Sequence, residues 1–217
     1  MSYPIVVLIS GSGSNLQALI DQSLQGQLDI NICAVISNKA EAYGLERAKL
    51  AGIPTHTLDH KSFASRDAFD AELQTMIDQY QPKLVVLAGF MRILTETFAK
   101  HYEGRMLNIH PSLLPKYKGL NTHQRAIDAG EQEHGVSVHF VSPELDGGAV
   151  ILQASTAIAE EDTAASLANK VHSLEHIIYP LAVKWFSEKR LTFHDGKAFF
   201  NGSVLPENGV LYDQALM

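Results

Sequence analysis

Short apolar runs alternating with amphipathic stretches constrain the fold of this chain more than any other feature. Residues 5–9, 30–36, 84–88 and 106–109 are apolar runs bounded by turn residues, with a weaker one at 54–58. Runs of that length suit strands buried on both faces, and their alternation with helical stretches is the pattern of βαβ units around a parallel sheet. Helices are predicted over 15–24, 42–51 and 65–80, the last two stopped by Gly52 and by Gln81-Pro82. Every crossover is therefore expected to be helical and right-handed. After Gly135 the texture changes, because 136–141 alternates and 149–156 is another strand with no helix between them, which predicts an antiparallel pair. A long helix is predicted over 163–189, with Leu167, Val171, Leu174, Ile178 and Leu181 at helical spacing and the cap signature Asp162-Thr163 ahead of it. Pro180 is expected to kink or interrupt it. Residues 191–193 and 198–200, around Asp195-Gly196-Lys197, read as a hairpin before a loose tail. The fold class is α/β: a Rossmann-like, open, mostly parallel sheet with helices on both faces and an antiparallel C-terminal part.

With 217 residues, 46% of them hydrophobic, the chain can bury one full core, so a single domain over 1–217 is expected. Its net charge is −7 and no block of Lys or Arg occurs, which leaves nucleic acid and anionic membrane without an electrostatic footprint. An anionic substrate has to be gripped locally. Cys33, the single cysteine, excludes an internal disulfide and reads as an inert core residue. Glycines at 11 and 13 break the first apolar run too early for a signal peptide or a membrane span, and a soluble cytoplasmic protein is expected.

The first chemical motif is Ile9-Ser10-Gly11-Ser12-Gly13-Ser14-Asn15, where a strand passes through two glycines into a helix. Glycine lets backbone approach a ligand closely, and the free amides of a helix start favour an anion, so a phosphate is one guest such a turn accepts. Leu16 occupies the place of a third fingerprint glycine and no Gly-Lys-Ser/Thr is present, so a sugar monophosphate fits better than a dinucleotide or triphosphate. A plain tight turn capped by Ser14 or Asn15 explains the same residues.

The second motif is Asn108-Ile109-His110-Pro111-Ser112-Leu113-Leu114-Pro115, followed by Glu144-Leu145-Asp146-Gly147-Gly148. The prolines force the chain out of regular structure, putting His110 on a rigid loop at a strand's carboxyl end, where open α/β sheets carry their chemistry. Imidazole is the natural general acid/base near neutrality, and a carboxylate beside it favours the imidazolium. An Asn amide can donate to a developing oxyanion, worth about 3 kcal/mol. Each of Asn108, His110 and Asp146 taken alone reads more readily as a turn-forming residue; their combination with the neighbouring glycines and prolines gives the motif its force. A rival pattern, His172-Ser173-Leu174-Glu175-His176, matches inverted zinc peptidases but has no identifiable third ligand. His56, His60, His101, His134, His139 and His194 scatter without ligand spacing and are expected at the surface or as caps.

These residues closely resemble the phosphoribosylglycinamide formyltransferase family, from the Gly11–Asn15 loop through Ser37-Asn38-Lys39, the run from Leu87 to Leu94, residues 108–116 and 144–148 to Glu175-His176. The resemblance implies the formyltransferase fold, with a phosphate-binding half (1–105), a catalytic and folate-binding half (106–190) and a terminal hairpin and tail (191–217). It implies formyl transfer from the co-substrate 10-formyltetrahydrofolate to the amine of 5-phosphoribosylglycinamide, without a metal, by a monomer or homodimer. It assigns catalysis to Asn108, His110 and Asp146, and ribotide binding to Gly13, Ser14, Asn15 and Glu175. Folate binding falls to Arg66, Met91, Arg92, Ile93, Leu94, Asn108 and Val141. The two arginines suit a polyglutamate tail that a net-negative protein otherwise repels. It also implies a cis Leu114-Pro115 bond, and Asn121 departs from a histidine found in bacterial members. A formyl-folate hydrolase or a formyltransferase acting on charged initiator tRNA shares the Asn-x-His and Asp motif, but each is expected to need a further domain. A non-catalytic sugar-phosphate or folate sensor needs the pocket without His110.

Overall fold

The computed structural model describes residues 2–213. The chain divides into two compact units, one ending at Asn108 and one beginning at Ile109.

The first unit holds strands β1 (Tyr3–Ile9), β2 (Ile30–Ser37), β3 (Thr55–Thr57), β4 (Leu84–Leu87) and the start of β5 (Met106–His110), with helices α1 (Ser14–Leu24), α2 (Tyr43–Leu50), α3 (Arg66–Asp78) and α4 (Glu96–His101) between them. The strands are all parallel, in the order β3-β2-β1-β4-β5. Chain order reverses between β1 and β4, the switch point at which the carboxyl ends of such a sheet form a ligand crevice. Ile5, Val6, Val7, Leu8 and Ile9 are completely buried, as continuous apolar runs in a parallel sheet must be.

Predicted elements recur within a residue or two, but α4 was not anticipated. Six residues are too few for a periodic signature, and the helix rests on the Thr95 side chain accepting from the Phe98 amide and on the Lys100–Glu96 pair at 2.6 Å. Cys33 also departs from expectation. The β1–β2 register slips at Ile5/Val6, so Cys33 is the bulged residue of β2 and is half exposed rather than sealed in the core.

The second unit holds α5 (Thr122–Asp128), β6 (Glu133–Phe140), β7 (Val150–Ala157) and α6 (Ala164–Ser187), followed by β8 (Leu191–His194), β9 (Lys197–Phe200), β10 (Ser203–Val204) and β11 (Val210–Leu211). The expected antiparallel pair is β6 with β7, while β8, β9 and β10 form a separate antiparallel sheet. Asp195 and Gly196 both take positive φ, the two-residue turn an Asp-Gly hairpin demands. Part of the expected tail instead forms β11 and pairs parallel with β7; positions 214–217 of that tail lie outside the described residues.

Pro180 does not interrupt α6. The helix runs continuously from 164 to 187, and every residue from Ile178 to Val183 is buried, so packing offsets the lost backbone bond. Its start is a capping box in which Thr163 and Ser166 satisfy each other's amides, beside the Asp162 carboxylate. Strand β6 does not alternate as predicted: His134 through Phe140 is buried throughout.

Candidate active site

In the first unit, β1 ends at Ile9 and the chain turns through Gly11-Ser12-Gly13 into α1. Gly13 is itself the cap residue of α1, with φ +71° and no side chain capping the helix, so neither Ser14 nor Asn15 plays the expected capping part. A Cβ on Gly13 would lie 2.6 Å from the Gly44 Cα, which makes glycine obligatory for both conformation and packing. Arg47, from α2, donates from Nε to the Ser12 carbonyl at 2.8 Å and from Nη1 to Gln17 at 3.1 Å. A guanidinium therefore stands against the loop, a feature the sequence did not single out because Arg47 is remote from the glycines in the chain.

The segment after β4 has neither helix nor strand over Met91, Arg92, Ile93 and Leu94. Met91 is 63% exposed and Ile93 52%, an apolar surface that a flat, largely apolar ligand would cover. The Arg92 guanidinium lies 5.6 Å from the Phe69 ring centroid, and Arg66 is exposed at the first turn of α3. Asn108 is half buried at the last position of the unit and lies on β5, two residues before His110, so the two side chains leave the same face of one strand.

In the second unit His110 closes β5 rather than sitting on the loop beyond it. Its Nε2 lies 2.9 Å from the Tyr117 carbonyl and its Nδ1 3.4 Å from Asp146 Oδ2, with side chains only 7% and 8% exposed. Both ring nitrogens face oxygen acceptors, so each can hold a proton. Asp146 adopts φ +47°, and its Oδ2 accepts the Gly119 amide at 2.9 Å. The glycines beside it are required by space, since a Cβ at Gly148 would fall on the Phe140 carbonyl oxygen. The Leu114-Pro115 bond is cis. Ser137 donates to the Ser112 carbonyl and accepts the Leu114 amide, while Gln153 donates to the Leu114 carbonyl, so buried polar groups fix the loop after His110. Val141 follows β6 and is half buried.

Two histidines expected at the surface are buried in this unit. His139 is 2% exposed; its Nδ1 donates to the Phe140 carbonyl at 2.8 Å and its Nε2 lies 3.8 Å from Asp146 Oδ1. Burial pushes its titration down to about 4, against the pull of that carboxylate. His134 is 1% exposed and meets His123 at 3.1 Å; burial lowers both, His123 to about 4. Both were expected at the surface or as caps because they lack ligand spacing, but each has a hydrogen-bond partner inside. The rival motif is dispersed by the helix: His172 is exposed, Glu175 is buried, and the two imidazoles stack 6.5 Å apart. Among the described residues no three His, Cys, Asp or Glu side chains are grouped to hold a metal ion.

The formyl transferase family model matches residues 3–183. Over 210 residues the chain is 54% identical to the Escherichia coli K12 phosphoribosylglycinamide formyltransferase, covering 97% of this chain and 99% of that protein. This chain belongs to the phosphoribosylglycinamide formyltransferase family. Among solved structures, the Coxiella burnetii phosphoribosylglycinamide formyltransferase in complex with CHES is 55% identical with a TM-score of 0.94, covering 98% of this chain and all of that one. The Symbiobacterium toebii glycinamide ribonucleotide transformylase 1 follows at 41% identity and a TM-score of 0.89, covering 92% and 94%. The human trifunctional purine biosynthetic protein adenosine-3 is 45% identical over 83% of this formyltransferase chain, a match that spans 18% of the larger protein. Family membership accounts for the mostly parallel sheet and for the enzymatic class together.

Proposed function

We propose that this enzyme transfers the formyl group of 10-formyltetrahydrofolate to the amine of 5-phosphoribosylglycinamide, giving the N-formyl ribotide and tetrahydrofolate in purine biosynthesis. The observation that carries the reading is the His110–Asp146 pair, enclosed behind the Tyr117 and Gly119 backbone in a member of this family. The amine attacks the formyl carbon, the new C–N bond forms, and the carbonyl oxygen takes the negative charge. Asn108 and His110 donate to that oxygen. A proton leaves the attacking nitrogen and reaches folate N10 through His110 as the C–N10 bond breaks, with Asp146 orienting the ring and balancing its charge. The backbone of Gly13, Ser14 and Asn15 at the start of α1 receives the ribotide phosphate, with Glu175 on its ribose. Arg66, Met91, Arg92, Ile93, Leu94, Asn108 and Val141 receive the folate. No metal enters this scheme, and the setting is cytoplasmic; no helix among the described residues is long and apolar enough to cross a membrane.

The test is to follow deformylation of 10-formyltetrahydrofolate by absorbance with and without 5-phosphoribosylglycinamide. Turnover that requires the ribotide is expected. Turnover without it indicates a hydrolase, and none at all leaves a folate or sugar-phosphate sensor.

A further inference from the structure

The exposed segment 91–94 is tied down at both ends by side chains that neither the catalytic nor the binding assignment uses. At its start, the Met91 amide donates to Ser10 Oγ at 2.8 Å. The same hydroxyl donates to Asn38 Oδ1 at 2.5 Å, and Asn38 Nδ2 faces His60 Nδ1 at 3.3 Å. Ser10 is 5% exposed and Asn38 3%, so their bond is shielded from water, and losing the hydroxyl leaves the buried Asn38 side-chain carbonyl and the part-buried Met91 amide without it. Just beyond its end, the Thr95 amide donates to Asp70 Oδ2 at 2.6 Å, and Asp70, on α3, is also 3% exposed. Between these points Arg92 Nε is enclosed without a hydrogen-bond partner, and its guanidinium faces the Phe69 ring on α3.

Ser10, Asn38 and Met91 follow β1, β2 and β4, three neighbours in the sheet order, on the side of the switch point. Ser10 also immediately precedes the Gly11-Ser12-Gly13 turn. One hydroxyl thereby fixes the root of the phosphate turn and the root of the exposed apolar segment at once. A segment with large apolar side chains held in water and no ladder of its own would collapse onto the protein unless its backbone were pinned.

We infer that Ser10, buttressed by Asn38, and Asp70 are positioning residues that hold the 91–94 segment open in its ligand-receiving shape. The inference rests on the reading of that segment as the folate site. Without either clamp the segment samples other conformations, and the ligand has to reorder it on binding, which weakens affinity.

Calorimetric titration with tetrahydrofolate, together with amide hydrogen exchange, tests this on the whole protein. Ser10→Ala and Asp70→Ala should each weaken tetrahydrofolate binding about fivefold to tenfold, the worth of one well-placed hydrogen bond. They should speed exchange at Met91 and Thr95 respectively and leave kcat at saturating folate within about twofold. Ser10→Thr and Asp70→Asn keep an oxygen acceptor and should stay near wild type in both readouts. Unchanged affinity in the alanine variants overturns the inference, as does equal weakening in the conservative variants, which would mark a general structural defect. Wild-type protein that binds no tetrahydrofolate refutes the folate reading itself, a different result from clamp variants that bind like wild type.

Discussion

His110 stands between two oxygen acceptors, the Tyr117 carbonyl and the Asp146 carboxylate, and its side chain is 7% exposed. That placement shields the ring from bulk water and keeps Nδ1 at the carboxylate, so on the proposed mechanism Nε2 exchanges the Tyr117 carbonyl for the substrate when it carries the proton. His110→Ala should therefore cut turnover by about 10² or more while leaving binding of both substrates nearly intact. Rapid-quench kinetics beside equilibrium binding separates the two, and unchanged turnover would remove His110 from the mechanism. Asp146 is held by backbone as much as by charge, through its positive φ and the Gly119 amide. On the proposed mechanism it orients the ring, and His139 Nε2 approaches its other oxygen at 3.8 Å.

At the scale of elements, β6 and α6 carry the clearest stability consequences. The buried rings of His134 and His139 lie on β6, and His123 on α5 meets His134. All three titrate below an ordinary imidazole in the folded state, two of them at about 4, so below about pH 6.5 the unfolded chain takes up protons first. Stability present above about pH 6.5 should thus be lost progressively as pH falls toward 4, well before Asp162, held down at about 2 by Lys170, begins to protonate. Thermal melts followed by circular dichroism check this, and a melting temperature that stays flat or rises over that interval would contradict it. On α6, Thr163→Ala removes half of the capping box and should cost about 1 kcal/mol in denaturant unfolding; a change below a few tenths would mean that Asp162 and Ser166 suffice. The long elements were legible in the sequence because apolar runs and stop residues coincide there, as at Gly52 and Gln81-Pro82. The short helices α4 and α5 were not, since each buries only two residues. Nor was the inward turn of His134 and His139, whose partners, His123, the Phe140 carbonyl and Asp146, are brought to them by turns that leave no periodic signature. The chemical motif was legible as residue types around Pro111 and Gly147; the loop that closes on His110 depends on Ser137 and Gln153, which carry no local signature.

For the whole molecule, a net charge of −7 sets the problem that anionic substrates must be met by local groups. The Gly11–Asn15 turn leads into the start of α1 with Arg47 beside the loop, and the exposed segment 91–94 carries Arg92 between two large apolar side chains. Both lie in the unit that ends at Asn108, and the His110–Asp146 pair lies in the unit that follows. On this account the first unit mainly grips the substrates and the second mainly moves the proton, with Asn108 and His110 joined through one strand. The most direct test is to follow the formyl carbon itself, using ¹³C-formyl-labelled 10-formyltetrahydrofolate, 5-phosphoribosylglycinamide and the purified protein in an NMR tube. The account predicts that the label appears as the formamide carbon of the ribotide in step with tetrahydrofolate formation; label released as formate, or left on the folate, would contradict it.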